Sequence, residues 1–241
     1  MENTGYIALS RQSVLRRQMD IIANNMANMT TPAFKGEDMM FVEHLKKTAN
    51  NDRVSLVQDL ALLRNLNAGP MTKTDNPLDL AINGDGYFVV ETPDGERYTR
   101  NGTFQLNQDG QIVTTQGDPV LGIDGNAITI PPNEPHISIT RDGSISAGET
   151  LIGRIQIVGF ENEQELEKQS NSLFARGEQE PQVAEGAEVA QGMIEGSNVQ
   201  GIVEMTKMIT TVRSYSSTSK LVDQEHERQR RAIQVLASSQ Q

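Results

Sequence analysis

Apolar positions recur at helical spacing at the two ends of the chain and at strand spacing between them. From about Tyr6 to Met29, the residues Leu15, Met19, Ile22, Met26 and Met29 are separated by 4, 3, 4 and 3 positions, the a/d seam of a coiled coil. Thr30-Thr31-Pro32 closes this helix, because a residue before proline avoids helical backbone. At the other end, Ser197-Asn198-Val199-Gln200 reads as a capping box. After it, Met205, Met208, Val212, Tyr215, Ser219, Val222, His226, Gln229, Ile233 and Leu236 follow at alternating spacings of 3 and 4. This second seam weakens at Ser219, His226 and Gln229. The two predicted rods are about 36 Å and about 58 Å long at 1.5 Å per residue, which points to a coiled coil.

Between the rods the pattern changes to short apolar or alternating runs punctuated by turns. Asp-Gly occurs at Asp85, Asp94, Asp109, Asp124 and Asp142, and Asn-Gly at Asn83 and Asn101, the strongest short hairpin signals. The expected fold class is α+β: N- and C-terminal helices forming a coiled-coil layer, with a central all-β domain of short hairpin strands. The expected boundaries are 1–36 and 197–241 for the terminal helices and 78–174 for the β domain. Residues 37–77, with apolar positions at helix-like or mixed spacing, read as an adaptable connector. Residues 175–196, rich in Glu, Gln and Gly, read as a loop or hairpin returning to the C-terminal helix.

Composition narrows the chemistry. The chain has 241 residues, 36% of them hydrophobic and 4% aromatic, with no Trp and no Cys; its mean hydropathy is −0.47. Disulfides, thiolate metal sites and thiol nucleophiles are excluded. His44, His136 and His226 lie far apart without companions at metal-site spacing. The net charge of −11 is uneven: residues 1–36 and 199–241 each carry +2, and the middle carries −15. Nucleic-acid binding through a generally basic surface is not expected, nor is membrane insertion, since no window approaches about 18 apolar residues. The first residues lack the apolar run of about 7–15 that a cleaved secretory signal needs.

Two segments deserve weighing as cation loops. Asn83-Gly-Asp85-Gly and Asn107-Gln-Asp109-Gly begin like calcium loops, but positions 5 and 12 hold Tyr87 and Asp94 after Asn83, and Gln111 and Asp118 after Asn107. The hairpin reading is preferred, and a calcium-binding β module is kept as a lesser alternative. No phosphate cradle, G-x-S-x-G motif or other catalytic constellation occurs, so no enzyme and no cofactor are expected. The basic cluster Arg228 to Arg231 reads as a solvated helix face near a C-terminus.

Three segments carry a resemblance. Ile21 to Lys35 (IIANNMANMTTPAFK) resembles the N-terminal signature of the flagellar basal-body rod and hook family, with Met26 in place of the usual Leu and Ala33 in place of the usual Gly. Asn76 to Val90 resembles its central motif, continued by Tyr98 to Phe104 and Pro119 to Gly122, and Glu195 to Val199 with Glu204 to Ile209 and Arg213 to Tyr215 resembles its C-terminal signature. The short chain and Phe41-Val-Glu-His-Leu45 resemble proximal rod members more than distal ones. The resemblance implies paired terminal helices in an inner coiled-coil layer and an outward β domain. It implies a structural subunit, located in the periplasm-spanning rod of the basal body, that polymerises through its terminal helices and transmits motor torque; a distal rod or hook-type axial subunit is the alternative. The implied partners are proximal and distal rod subunits, copies of itself, and the flagellar type III export apparatus, which uses no cleaved signal. The expected assembly interface comprises the seam residues other than Ser219, His226 and Gln229, together with Asn24, Asn25, Asn28, Asn198 and Val199. The three asparagines near the helix end are expected to bond backbone where the chain leaves the helix.

Overall fold

The computed structural model describes residues 2–47, 53–131, 136–184 and 186–238. Two long helices, α1 (Glu2–Ala27) and α2 (Gly201–Ser238), flank a run of short antiparallel strands, which makes the chain α+β. It divides into two compact units. One comprises Met1–Met29, Gly36–Asn65 and Val199–Gln241; the other comprises Thr30–Lys35 and Leu66–Asn198.

In the first unit α1 and α2 pack against each other and α1 also contacts a two-stranded ribbon. The ribbon pairs β1 (Glu37–Lys47) with β2 (Arg53–Arg64), from Glu37 opposite Arg64 to Lys47 opposite Arg53, with a bulge between Met40 and Phe41. The expected mixed connector over 37–77 is therefore corrected to strand over most of its first part. Adjacent apolar pairs such as Met39-Met40 and Leu62-Leu63 put apolar groups on both faces of a strand, and periodicity does not separate that pattern from a helix. The expected capping box is also corrected: α2 begins at Gly201, so Ser197 lies too far upstream to cap it, and the first turn closes instead with the Glu204 amide donating to the Gln200 carbonyl at 3.0 Å.

The second unit is all β. Short strands β3 (Met71–Lys73), β4 (Leu80–Asn83), β5 (Tyr87–Thr92) and β6 (Gly95–Thr99) lead into further short pairs. A six-stranded antiparallel sheet runs in the order 167–168, 174–175, β6, β5, 157–159, 182–183. The first four residues of β5, Tyr87-Phe88-Val89-Val90, are all buried, because alternate side chains enter two different cores. Phe88 and Val90 join Leu80, Ile82, Phe104, Ile112 and Ile145 in one. Tyr87 and Val89 join Tyr98, Leu121, Val158 and Phe174 in the other, where Tyr98 meets Phe160 edge to face at 4.8 Å. A chain with few aromatics thus concentrates them on one central strand pair and its neighbours.

The segment 175–196, expected as a loop or hairpin, contains short paired strands. Strands 182–183 and 188–191 pair with 157–159 and β4, and 193–195 pairs with β3. Few inward residues are needed when a neighbour supplies the ladder: Val189 alone of 188–191 is buried, in the first core. Such a strand has no periodicity to read.

Ala33 takes a left-handed conformation, φ 55°, while buried, and its amide donates to the Glu195 carbonyl at 2.8 Å. A Cβ-bearing residue pays about 1–2 kcal/mol there, and glycine pays almost none. Ala33→Gly is expected to stabilise the β unit by about 1 kcal/mol, read as a raised thermal midpoint; an unchanged or lowered midpoint contradicts the assignment.

Candidate assembly interface

Helix α2 turns a mixed stripe inward and an apolar one outward. The residues it buries are Glu204, Thr211 and Thr218, seven positions apart. Met208, Tyr215 and Val222 beside them are half-buried. The two threonine hydroxyls donate to carbonyls one turn back, Thr211 to Lys207 at 2.8 Å and Thr218 to Ser214 at 2.9 Å, so each is satisfied within its own helix. Of the expected seam, Met208, Tyr215 and Val222 thus lie at the inner face, while Met205 and Val212 are 54% and 46% exposed within the subunit. With Ile202 at 85% and Ile209 at 47% they form an outward apolar stripe spaced 3, 4 and 3. Ile233 and Leu236 lie on α2 outside the residues whose side chains are described.

On α1, Ala8, Ile22 and Asn25 are buried, Leu15, Met19, Met26 and Asn28 are half-buried, and Asn24 and Met29 are exposed. Asn25 is the polar centre of this unit. Its Nδ2 donates to the Glu37 carbonyl at 2.8 Å and to Glu204 Oε2 at 3.2 Å, while its Oδ1 accepts the Glu37 amide at 3.0 Å. The side-chain amide thus imitates a neighbouring strand at the start of β1. Asn28 Nδ2 donates to the Asn24 carbonyl at 2.9 Å, closing the end of α1. Glu204 Oε1 in turn holds Lys207 at 2.8 Å, and Lys207 holds Asp38 at 2.9 Å. Burial opposes the Lys207 charge, but the hydrogen bonds to Glu204 and Asp38 outweigh it and hold its ammonium above the usual value.

The second unit has its own centre, which sequence reading did not single out. Glu195, with a fully buried side chain, receives Lys35 Nζ at 2.7 Å, Arg100 Nε at 2.9 Å and the Gly69 amide at 2.8 Å. Lys35, Arg100 and Glu195 each come from a different one of the three recognised motifs. The motifs also hold Asp79, Asp85, Glu204, Lys207 and Arg213, so charge alone does not single out the three that meet. Asn198 adjoins this centre: its amide donates to the Phe34 carbonyl at 3.2 Å and its Nδ2 to the Asn67 carbonyl at 2.8 Å. Val199 is half-buried in the helical unit. Gly69 must be glycine, since a Cβ there would stand 1.9 Å from the Gly196 carbonyl oxygen.

Arg100 also reorders the calcium-loop question. Its remaining nitrogens receive no anion but donate to the carbonyls of Ile82, Gly84 and Gly86 at 3.3, 3.0 and 3.1 Å. The oxygens that the Asn83-Gly-Asp85-Gly loop turns inward are thus already bound to a cation, the guanidinium. In the other loop, Asn107 Oδ1 accepts the amides of Asp109 and Gln111, both at 2.9 Å, which is turn chemistry. Of the basic cluster, Arg228 pairs with Glu225 at 2.5 Å and Arg231 with Glu227 at 3.7 Å. The last turn of α2 contains no basic residue, so the dipole reading of that cluster is corrected.

Burial raises the Glu195 carboxyl, but Arg100, Lys35 and the Gly69 amide outweigh it and leave its pKa below the usual range. A carboxylate with a depressed folded pKa contributes stability that is complete above its unfolded pKa of about 4.3 and is lost as pH falls through the lower folded value. Glu195→Gln leaves two buried cations without their anion and is expected to cost about 3–5 kcal/mol near neutral pH. The deficit should shrink as pH falls below about 4. Denaturant melts of both proteins across that range check it; a deficit independent of pH contradicts the assignment.

Comparison with known proteins places these motifs. Residues 6–35 match the family described as Flagella basal body rod protein, residues 81–147 the Flagellar hook protein FlgE/F/G D1 domain, and residues 190–235 the Flagellar basal body rod FlgEFG protein C-terminal family. The chain is 42% identical over 241 residues to the flagellar basal-body rod protein FlgF of Caulobacter vibrioides, covering 98% of each chain. It is 33% identical to FlgF of Salmonella typhimurium over 261 residues, covering 99% of this chain and all of that one. With FlgG of Bacillus subtilis the identity is 32% over 244 residues, covering 90% of this chain and 92% of the other. Three matched segments in family order, and full-length similarity to FlgF proteins, establish that the chain belongs to the flagellar basal-body rod family.

Proposed function

We propose that this chain is a structural subunit of the proximal part of the flagellar basal-body rod and that it polymerises through the outward stripe of α2. Its place in the basal body and its structural role follow from the family and from relatives that bear the rod-protein name along their whole length. The observation that carries the mode of assembly is the stripe Ile202, Met205, Ile209 and Val212, which is exposed although equally spaced inward positions hold Glu204 and Thr211. A helix that keeps apolar side chains in water and polar ones against its own partner is built to meet something else.

On this reading α1 and α2 contribute to a coiled-coil layer shared by neighbouring subunits. The neighbours are further copies of this chain and other proximal and distal rod subunits, and contacts that do not close into a ring extend the rod. Delivery through the flagellar type III export apparatus fits a rod that spans the periplasm. The β unit, with its two packed cores, resists the torque that the rod carries. No catalytic role is assigned.

Because Met205 and Val212 do not pack within the subunit, a charge there should leave the fold alone. Met205→Asp and Val212→Asp are expected to shift the thermal midpoint of the free chain by no more than about 0.5 kcal/mol equivalent, and to abolish incorporation into purified basal bodies and swimming. Normal incorporation of both variants contradicts the stripe as an interface. Ile22→Asp serves as contrast: it charges a buried position and should unfold the helical unit outright.

A further inference from the structure

The face that α2 presents to α1 is not its most apolar one. The inward positions are Glu204, Thr211 and Thr218; one residue further on stand Met205 and Val212, which are exposed. Met208, Tyr215 and Val222 flank both stripes and are half-buried. A turn of α2 by about half of the 100° between successive residues would exchange one stripe for the other. Apolar burial by itself favours that exchange. Something must oppose it.

The opposing contact is at Asn25. Its amide is oriented from the β1 side by two hydrogen bonds to the backbone of Glu37, at 2.8 and 3.0 Å. That leaves one Nδ2 hydrogen aimed at α2, and it meets Glu204 Oε2 at 3.2 Å. The other oxygen of Glu204 is held by Lys207, whose ammonium is held in turn by Asp38 next to Glu37. The chain Asn25–Glu204–Lys207–Asp38 therefore returns to the strand from which it started. Turning α2 would draw Glu204 away from Asn25 and break this ring of charge-assisted bonds, which are stronger than neutral ones. A buried polar group that matches a single partner is the known way for a helix seam to specify one arrangement over another.

We propose that Asn25 and Glu204 are positioning residues that fix the rotation of α2 on α1, and so keep the apolar stripe Ile202, Met205, Ile209 and Val212 turned outward. The proposal rests on reading that stripe as the assembly face, but its test uses the free chain and is independent of assembly. It assigns to polar residues of the first and third motifs a role in choosing which face of α2 other subunits meet.

The chain has no cysteine, so a single introduced thiol reports one position. Thr211→Cys and Val212→Cys are each placed in the native background, in Glu204→Leu, and in Asn25→Leu/Glu204→Leu, and alkylation by a maleimide is timed on the full-length chain. In the native background position 212 should react at least about tenfold faster than 211. In both Leu backgrounds the order should invert, with 212 protected and 211 reactive. Glu204→Gln, which keeps an acceptor for the Asn25 amide, should retain the native order. Simple destabilisation exposes both thiols and cannot invert their order. Native order in either Leu background, or equal rates at the two positions in both, overturns the proposal.

Discussion

A buried charge has to find its counter-charge, and in this chain that requirement organises the junctions. Glu195 is withdrawn from water with Lys35 and Arg100 beside it, and any of the three left alone would cost more than the trio returns. The backbone around the carboxylate is arranged to match. The Ala33 amide reaches the Glu195 carbonyl and the Gly69 amide its side chain, while the Gly196 amide reaches the Pro70 carbonyl at 2.8 Å. A left-handed alanine and a glycine with no room for a Cβ are the local consequences. Arg100 extends the same charge into the turn after β4 and satisfies three carbonyls there. Segments far apart in sequence are thus tied by one ion cluster in addition to the two apolar cores of the β unit.

The apolar residues that exist are divided between two tasks. The β unit uses its share on both faces of β5, where four consecutive side chains are buried. The helices do the reverse. Between α1 and α2 the buried positions include Ala8, Ile22, Asn25, Glu204, Thr211 and Thr218, a seam of small and polar groups closed by specific hydrogen bonds. Ile202, Val203, Met205, Ile209 and Val212 in the first half of α2 stay in water. On the proposed mode of assembly this division is coherent: the β unit is packed on itself, and the helices proposed to join others are held by polar contacts.

Much of this was legible in the sequence, and the misses have physical causes. Helix type and extent come from sustained periodicity, and hairpins from Asp-Gly pairs whose glycines take positive φ, such as Gly95 and Gly110. The ribbon β1–β2 was missed because paired apolar residues satisfy helix and strand templates equally. The individual strands after residue 181 are too short to show a period: 182–183 buries neither residue and 188–191 buries only Val189. On α2 the expected positions Met208, Tyr215 and Val222 lie at the inner face, but beside them Glu204, Thr211 and Thr218 are buried in place of Met205 and Val212. Thr211 and Thr218 are buried as residues whose hydroxyls bond their own helix, and Glu204 as one whose partner lies 179 positions away. No local pattern carries that information. Glu195 was overlooked for the same reason, although it stands within a recognised motif.

The central claim is that the outward stripe of α2 is covered in the rod and bare in the free subunit. Met205, exposed on that stripe, offers a native probe, since peroxide converts an accessible methionine to its sulfoxide. Peptide mass spectrometry can follow oxidation of Met205 in the free chain and in purified basal bodies, with whole-rod integrity checked by microscopy. The account predicts ready oxidation in the free chain and strong protection in the rod. Equal oxidation of Met205 in the two states would contradict it.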